Sequence, residues 1–249
     1  MLNEERKSII LDLVNEKKNV TVYELMELLN ISESTARRDI VALNREGKLT
    51  KVHGGATALK KPKTEEEISI LEKESEHKKE KLRIAEYAAS LIESGDYVFI
   101  DSGTTTEYMI PFIIERRATY VTNSISHAKN LVKKHFKVML IGGEMKENTE
   151  AIVGSDAILL IQKYHFNKGF FGANGVDARL GYTTPDVREA LVKRVAIENT
   201  NPGGKYILAD HSKFGRSANV TFSEFGGTTL ITDKYPGDEY SHAANLKVV

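Results

Sequence analysis

Cysteine is absent from all 249 residues. That excludes disulfides, thiolate zinc sites and cysteine nucleophiles, and it fits a reducing compartment. Net charge is absent too, because 35 basic residues balance 35 acidic ones. A protein that coats nucleic acid without regard to sequence is usually basic, so any DNA contact must come from a local patch. No run approaches the ~18 apolar residues of a membrane span. The N-terminal stretch is charged and helical in pattern, with no apolar signal-peptide core. The seven histidines never show H-x-x-x-H or H-E-x-x-H spacing, so no metal site is predicted. Internal repeats are missing. These absences leave a cytoplasmic protein with no membrane partner. Its length fits one large domain or one small plus one medium, and its 41% hydrophobic residues suffice for a real core.

What is present begins with three helical patterns. Ile9, Ile10, Leu13 and Val14 make an apolar stripe at helical spacing, behind a capping Asn3. Thr21 caps a second helix whose inward face is Val22, Leu25, Leu28 and Leu29. Asn30-Ile31 is a tight connection, and Ser32 caps a third helix with Ala36, Ile40 and Leu43 facing the same core. Gly47 is expected to close it. Two short helices joined by a tight turn are a helix-turn-helix, whose second helix enters the major groove N-terminal end first. Its outward residues Ser34, Thr35, Arg37 and Arg38 suit phosphate and base-edge contacts. The next stretch, Lys48 to Ala56, alternates and turns at Gly54-Gly55, which predicts a small β-wing carrying Lys51 and His53 to the DNA backbone. Taken singly, Arg37 or Arg38 reads as a solvated face paired with Glu33 or Asp39. Two adjacent arginines between capping hydroxyls and a basic wing favour DNA. Which of the two reads bases stays open.

Leu59 to Lys81 is dense in Lys and Glu and reads as a solvated linker, broken from the wing by Pro62. From Leu82 the pattern changes. A helix ending at Gly95 precedes predicted strands at 97–101, 119–122, 137–141, 169–172, 206–209 and 228–232. Helices at 107–115, 126–134, 155–163 and 186–199 lie between them. This alternation means parallel βαβ units in an open sheet covered on both faces. The predicted domains are 1–58, a linker 59–75, and 76–249.

The residues after each strand carry the chemistry. Strand 97–101 runs straight into Asp101-Ser102-Gly103-Thr104-Thr105-Thr106. Such a strand, polar turn and helix start presents unpaired amides to an anion. Gly103 permits close approach, Thr104 and Thr105 add hydroxyl donors, and Asp101 can accept from sugar hydroxyls. The other strand ends give Thr122-Asn123-Ser124, Gly142-Gly143-Glu144, Gly172-Ala173-Asn174-Gly175-Val176-Asp177 and Asp210-His211-Ser212-Lys213. Ligands in open α/β sheets bind along this carboxyl edge. The predicted effector-binding residues are therefore Asp101, Gly103, Thr104, Thr105, Thr122, Asn123, Ser124, Gly142, Gly172, Asn174, Gly175, Asp177 and Lys213, in a pocket for a phosphorylated sugar. Ordinary turn chemistry is the competing reading for Gly142, Gly143 and Gly175, and a surface position for Lys213.

The run Thr21 to Ile40, with its S-x-S-T-x-R-R-D-I core at Ser32–Ile40, and His53-Gly54-Gly55-Ala56 resemble the N-terminal signature of DeoR-family bacterial repressors. Ala36 departs from the Ile or Val more frequent there. "D-x-G-T-T", "T-N-S", "G-G" and "D-x-S-K-F-G" resemble that family's C-terminal sensor in the same order, so the resemblance spans nearly the whole chain. It implies an α/β fold class: a small winged helix-turn-helix domain, then an open, mostly parallel sheet related to ribose-5-phosphate isomerase and glucosamine-6-phosphate deaminase. It implies a non-enzymatic repressor of a sugar-utilisation operon, a homodimer or homotetramer on double-stranded operator DNA, released by a sugar phosphate and needing no cofactor. The alternative is a sugar-phosphate isomerase or deaminase with a DNA-binding appendage, for which Asp101, Asp177 and Asp210 are the acid/base candidates by position.

Overall fold

The computed structural model describes residues 3–17, 19–46, 48–58, 76–241 and 245–249. They fall in two compact units, Met1–Thr64 and Glu65–Val249. Gly47 and the stretch 59–75 lie outside the described residues.

In the first unit, α1 (Asn3–Lys17), β1 (Asn19–Thr21), α2 (Val22–Leu29), α3 (Glu33–Arg45), β2 (Leu49–Val52) and β3 (Gly55–Ala58) follow in chain order. Local chemistry sets the ends. Thr21 and Glu24 form a reciprocal capping box at α2, and Ser32 Oγ accepts from Thr35 N to cap α3. Between the helices Asn30 takes a left-handed conformation at φ 50°, which asparagine tolerates better than most residues. Ile10, Val14, Leu25, Ala36, Ile40 and Leu43 bury their side chains in one core. Leu28, expected inside, is 55% exposed. The strands pair antiparallel in the order β1-β3-β2, so β2 and β3 are the wing and β1 fastens it to the helices. Lys51 N donates to Asn44 Oδ1 at 2.8 Å, which ties the wing to α3. Asp39 points inward to Arg6, Nε to Oδ2 2.6 Å, and so is not available to the α3 arginines.

The second unit is built on a seven-stranded parallel sheet, order β15-β14-β12-β9-β4-β5-β6. Its strands are β4 (Tyr97–Ile100), β5 (Thr119–Thr122), β6 (Lys137–Leu140), β9 (Lys168–Gly172), β12 (Lys205–Leu208), β14 (Thr229–Thr232) and β15 (Asn245–Val248). Strand residues alternate between two cores. Val98, Ile100, Phe170 and Leu208 face one side with α4 (Lys78–Ser90), while Phe99, Phe171 and Ile207 face the other with α7 (Ser155–Ile161) and α8 (Val187–Glu198). Six strands match the sequence expectation to about a residue. β15 was not expected. Nor were the hairpin β7 (Glu144–Met145) with β8 (Ile152–Val153), or the antiparallel sheet of β10 (Gly175–Asp177), β11 (Gly181–Thr184) and β13 (Val220–Ser223). The helix expected over 107–115 is instead a short α5 (Thr104–Glu107) and a 3₁₀ turn at Ile110–Phe112. Pro111 explains this, since it lacks the N–H that an α-helix interior needs. α6 (Ile125–Lys133) and α9 (Asp238–Ser241) complete the unit. No helix among the described residues is long and apolar enough to cross a membrane.

Candidate functional site

Strand pairing fixes the floor of a cleft. Asp101 N donates to Phe170 O at 3.0 Å, which carries the β4–β9 ladder one residue beyond β4 and brings Asp101 beside Gly172. The Asp101 carboxylate is 1% exposed. Its Oδ2 accepts from Gly172 N at 3.1 Å and is ion-paired with Lys193 Nζ of α8. Lys193 also donates to Gly172 O at 3.1 Å. Burial raises the Asp101 pKa, against the pull of Lys193. Oδ1 has no hydrogen-bond partner among the described residues.

The turn after Asp101 is held from below. Ser102 N donates to Asn123 Oδ1 at 3.0 Å, and Thr106 Oγ1 bonds Asp101 O and Gly103 O at 2.6 and 2.8 Å. Asn123 Nδ2 continues to Ile152 O. His127 lies under the same turn, fully buried, its pKa driven down to about 3 by that burial against a hydrogen bond to the Gly103 backbone. It is a neutral imidazole at ordinary pH. Gly103 itself has φ 175°, extended backbone open to any residue.

Ser102, Gly103, Thr104 and Thr105 form one wall; Gly172, Ala173 and Asn174 at the end of β9 form the next. Lys81, Glu189 and Lys193 enter from helices, Thr149 from a loop and Lys213 from the 3₁₀ turn His211–Lys213. The cleft is small, with an enclosed volume of about 70 Å³, and opens to solvent. Glu189 is bound before any ligand arrives: its Oε1 accepts from Lys146 Nζ at 3.0 Å and Thr149 Oγ1 at 2.9 Å. Lys146 also pairs with Asp186 at 2.8 Å. Burial pushes Asp186 up, but Lys146 and the amides of Arg188 and Glu189 outweigh it and hold it at about 2. The β7–β8 hairpin is thereby clipped onto the start of α8. Ion pairs thus neutralise charge in and around the cleft, Lys193 with Asp101 and Lys146 with Glu189 and Asp186, and Lys81 and Lys213 also line it.

Of the residues picked from sequence, Gly103, Thr104, Thr105, Gly172, Asn174 and Lys213 line the cleft. Asp101 and Asn123 support it from beneath. The remaining ones are not among the residues lining this cleft. Thr122 Oγ1 accepts from Ser124 N, and Ser124 caps α6. Gly142 is exposed beyond β6. Gly175 sits in β10, where an added Cβ would lie 2.5 Å from Arg216 O. Asp177 accepts from Arg179 N and Leu180 N to close a turn, and those bonds lower its pKa. Lys81, read as part of the linker, is a buried residue of α4. Ser102, Thr149, Glu189 and Lys193 were not picked at all. Glu189 and Lys193 lie one turn apart on α8, an i, i+4 pair that a search of strand ends passes over.

On the first unit, Ser34 and Thr35 hydroxyls cluster with Ser32 Oγ at 3.0 and 2.9 Å. Arg37 pairs with Glu33 at 2.6 Å, both exposed. Arg38 is exposed with no ion-pair partner among the described residues. Lys51 and His53 are exposed on the wing. Apart from these two regions, ligand atoms of His77, Asp210 and His211 lie within 4.8 Å of one another, the one such trio among the described residues.

Residues 6–62 match the DeoR-like helix-turn-helix domain, and residues 76–234 the DeoR C terminal sensor domain. The chain is 41% identical over 253 aligned positions to an uncharacterised HTH-type transcriptional regulator, FruR, of Bacillus subtilis (strain 168), covering 100% of this chain and 99% of the relative. It is 38% identical to the lactose phosphotransferase system repressor of Staphylococcus aureus (strain NCTC 8325 / PS 47), covering 96% and 95%. Among solved structures, ribose 5 phosphate isomerase A from Neisseria gonorrhoeae aligns at 17% identity and TM-score 0.40, over 55% of this chain and 53% of that one. With both of its units matched in order, the chain belongs to the DeoR family.

Proposed function

We propose that this protein represses a sugar-utilisation operon and is released from its operator by a phosphorylated sugar. The observation that carries the effector half is the cleft's division of labour. At one border, the hydroxyls of Ser102, Thr104 and Thr105 and the amides of Gly103–Thr105 stand with Lys81 and Lys213, donors and cations suited to a phosphate. Elsewhere Asn174, Glu189 and Lys193 offer both donors and acceptors, as a polyol requires. The DNA half rests on Arg37, Arg38, Lys51 and His53, exposed on α3 and the wing. The relative named as a lactose phosphotransferase system repressor supports the same reading. Residues 1–58 are the DNA-binding domain, 76–249 the effector domain and 59–75 the linker. A symmetric dimer or tetramer in the cytoplasm places two α3 helices on half-sites about 10–10.5 bp apart, or a multiple of that.

The protein binds its sugar without turning it over. The transcriptional-regulator relatives and the helix-turn-helix unit support this reading; of the acid/base candidates Asp177 closes a turn, while Asp101 and Asp210 are buried with one oxygen of each engaged. The test is a thermal-shift screen of the full chain against hexose, pentose, polyol and amino-sugar phosphates, since a ligand stabilises by RT ln(1 + [L]/Kd). Hits then go to operator-binding and turnover assays. A sugar phosphate that raises the Tm, weakens operator binding and is recovered unchanged supports the proposal. Steady turnover overturns the non-enzymatic part, and a screen without hits overturns the effector class.

A further inference from the structure

We propose that His77, Asp210 and His211 form a binding site for a borderline divalent cation of the Zn²⁺ or Co²⁺ type. Three observations point there. The ligand atoms of these residues lie within 4.8 Å of one another. Asp210 is fully buried, and only one of its oxygens is in use: Oδ1 accepts from Ser212 N at 2.9 Å and from Ser212 Oγ at 2.5 Å, while Oδ2 has no hydrogen-bond partner. A buried carboxylate oxygen left unsatisfied is costly, and a cation relieves that cost. Third, His211 is already oriented. Its Nδ1 lies 2.8 Å from Asp233 Oδ2 and its backbone N donates to Asp233 Oδ1 at 2.7 Å. A carboxylate behind an imidazole fixes the ring and leaves Nε2 as the ligand atom, the arrangement that orients histidines on metals.

Two imidazoles and one carboxylate with an open fourth position match zinc and its neighbours, not calcium or magnesium, which take oxygen shells. Imidazole nitrogens bind these metals more strongly than oxygen does, so the two histidines are what the site needs. Ligand atoms around one zinc lie roughly 3.3 Å apart. His77 and His211 are exposed, and His77, at the start of α4, is the residue with room to swing inward. A bound ion joins the start of α4 to the loop after β12. Lys81 lies one helical turn beyond His77, and Lys213 two residues beyond His211, so the ion tethers both lysines at the cleft border. Histidine spacing along the chain gave no sign of this, because His77 and His211 meet only through the fold.

The test is calorimetric titration of the metal-free full-length chain with Zn²⁺, and with Co²⁺ read by its visible absorption, without any sugar present. The expected result is one ion per chain, with His77→Ala and His211→Ala each weakening it tenfold or more. Asp233→Asn, which keeps all three ligands and loosens one, should weaken it about 10–100-fold. Matching thermal unfolding of the metal-free variants and wild type separates lost ligation from lost fold. Absence of stoichiometric binding, or wild-type affinity in both histidine variants, overturns the site. Either result leaves the sugar-phosphate proposal standing, because no sugar enters the measurement.

Discussion

Arg37 and Arg38 are neighbours on α3 that differ in what already holds them. The exposed Glu33–Arg37 pair is worth only ~0.3–0.5 kcal/mol, so DNA can take Arg37 over at little cost, and Arg38 has no ion pair to give up among the described residues. A bidentate arginine–guanine contact gives roughly 1–3 kcal/mol of discrimination, and a dimer makes it twice. At least one of Arg37→Ala and Arg38→Ala should therefore lower operator affinity ~10²-fold or more at fixed salt, measured by titration of labelled operator. In the cleft, Lys213→Ala should cost one to two decades of effector affinity by calorimetry, at ~1.5–3 kcal/mol for a charged hydrogen bond. Asp101→Asn should cost as much, but it also leaves Lys193 buried beside a neutral partner, so it should lower the Tm of the ligand-free protein where Lys213→Ala does not. His127 gives a pH signature. Its folded pKa of about 3 lies below the ~6.5 of an unfolded chain, so only the unfolded state takes up its proton between those values. Stability is then full above pH 6.5 and falls as pH drops, by up to ~1.4 kcal/mol per unit. Denaturant unfolding between pH 6.5 and 4.5, above the range where carboxylates dominate, should show this slope, and His127→Gln should flatten it.

Secondary-structure elements in this chain are secured by single side chains at their ends. Ser32→Ala should remove the α3 cap at ~0.5–2 kcal/mol, read by chemical denaturation, and should weaken operator binding further by loosening the helix that carries both arginines. Lys146→Ala should act on a different element. It leaves the Asp186 and Glu189 carboxylates without their buried cation, for which ~3–5 kcal/mol is typical, and it frees the β7–β8 hairpin from α8. The expected readout is a lower Tm together with faster proteolysis near 144–153. Elements whose signals are local could be read from the residues: Thr21 and Ser32 as caps, Gly54-Gly55 as the wing turn, apolar runs such as Val98-Phe99-Ile100 as strands. Those that depend on distant partners could not. β11 earns its place by pairing Tyr182 with Ser223, and nothing near Tyr182 announces it. The same division runs through the site. Gly103, Thr104, Thr105, Gly172, Asn174 and Lys213 follow strands directly and were legible. Lys81, Glu189 and Lys193 reach the cleft only because α4 and α8 pack on opposite faces of the sheet, which fixes the faces they present.

At the scale of the whole molecule, the proposed function requires a coupling free energy between operator and sugar binding. Values of ~1–3 kcal/mol are typical, so the effector should weaken operator binding about 5–150-fold, and operator should weaken effector binding by the same factor. Paired titrations, each with the other ligand saturating, check the equality. A fragment of residues 1–60 should bind operator poorly, with one half-site to read, and should ignore the sugar; full affinity in that fragment would remove the need for the second unit. The strand order of the large sheet adds a consequence in time. β4, early in the chain, finds its central neighbour β9 about 70 residues later, and the cleft also waits for Lys193 and Lys213. The winged unit closes on contacts made within its own first stretch, and chains of this kind fold N-terminal first as they leave the ribosome at ~5–20 residues per second. Each nascent chain therefore spends roughly ten to forty seconds as a finished reader attached to an unfinished sensor. Premature termination anywhere between the wing and Lys213 would make that interval permanent, releasing polypeptides that recognise a half-site and cannot be told to let go.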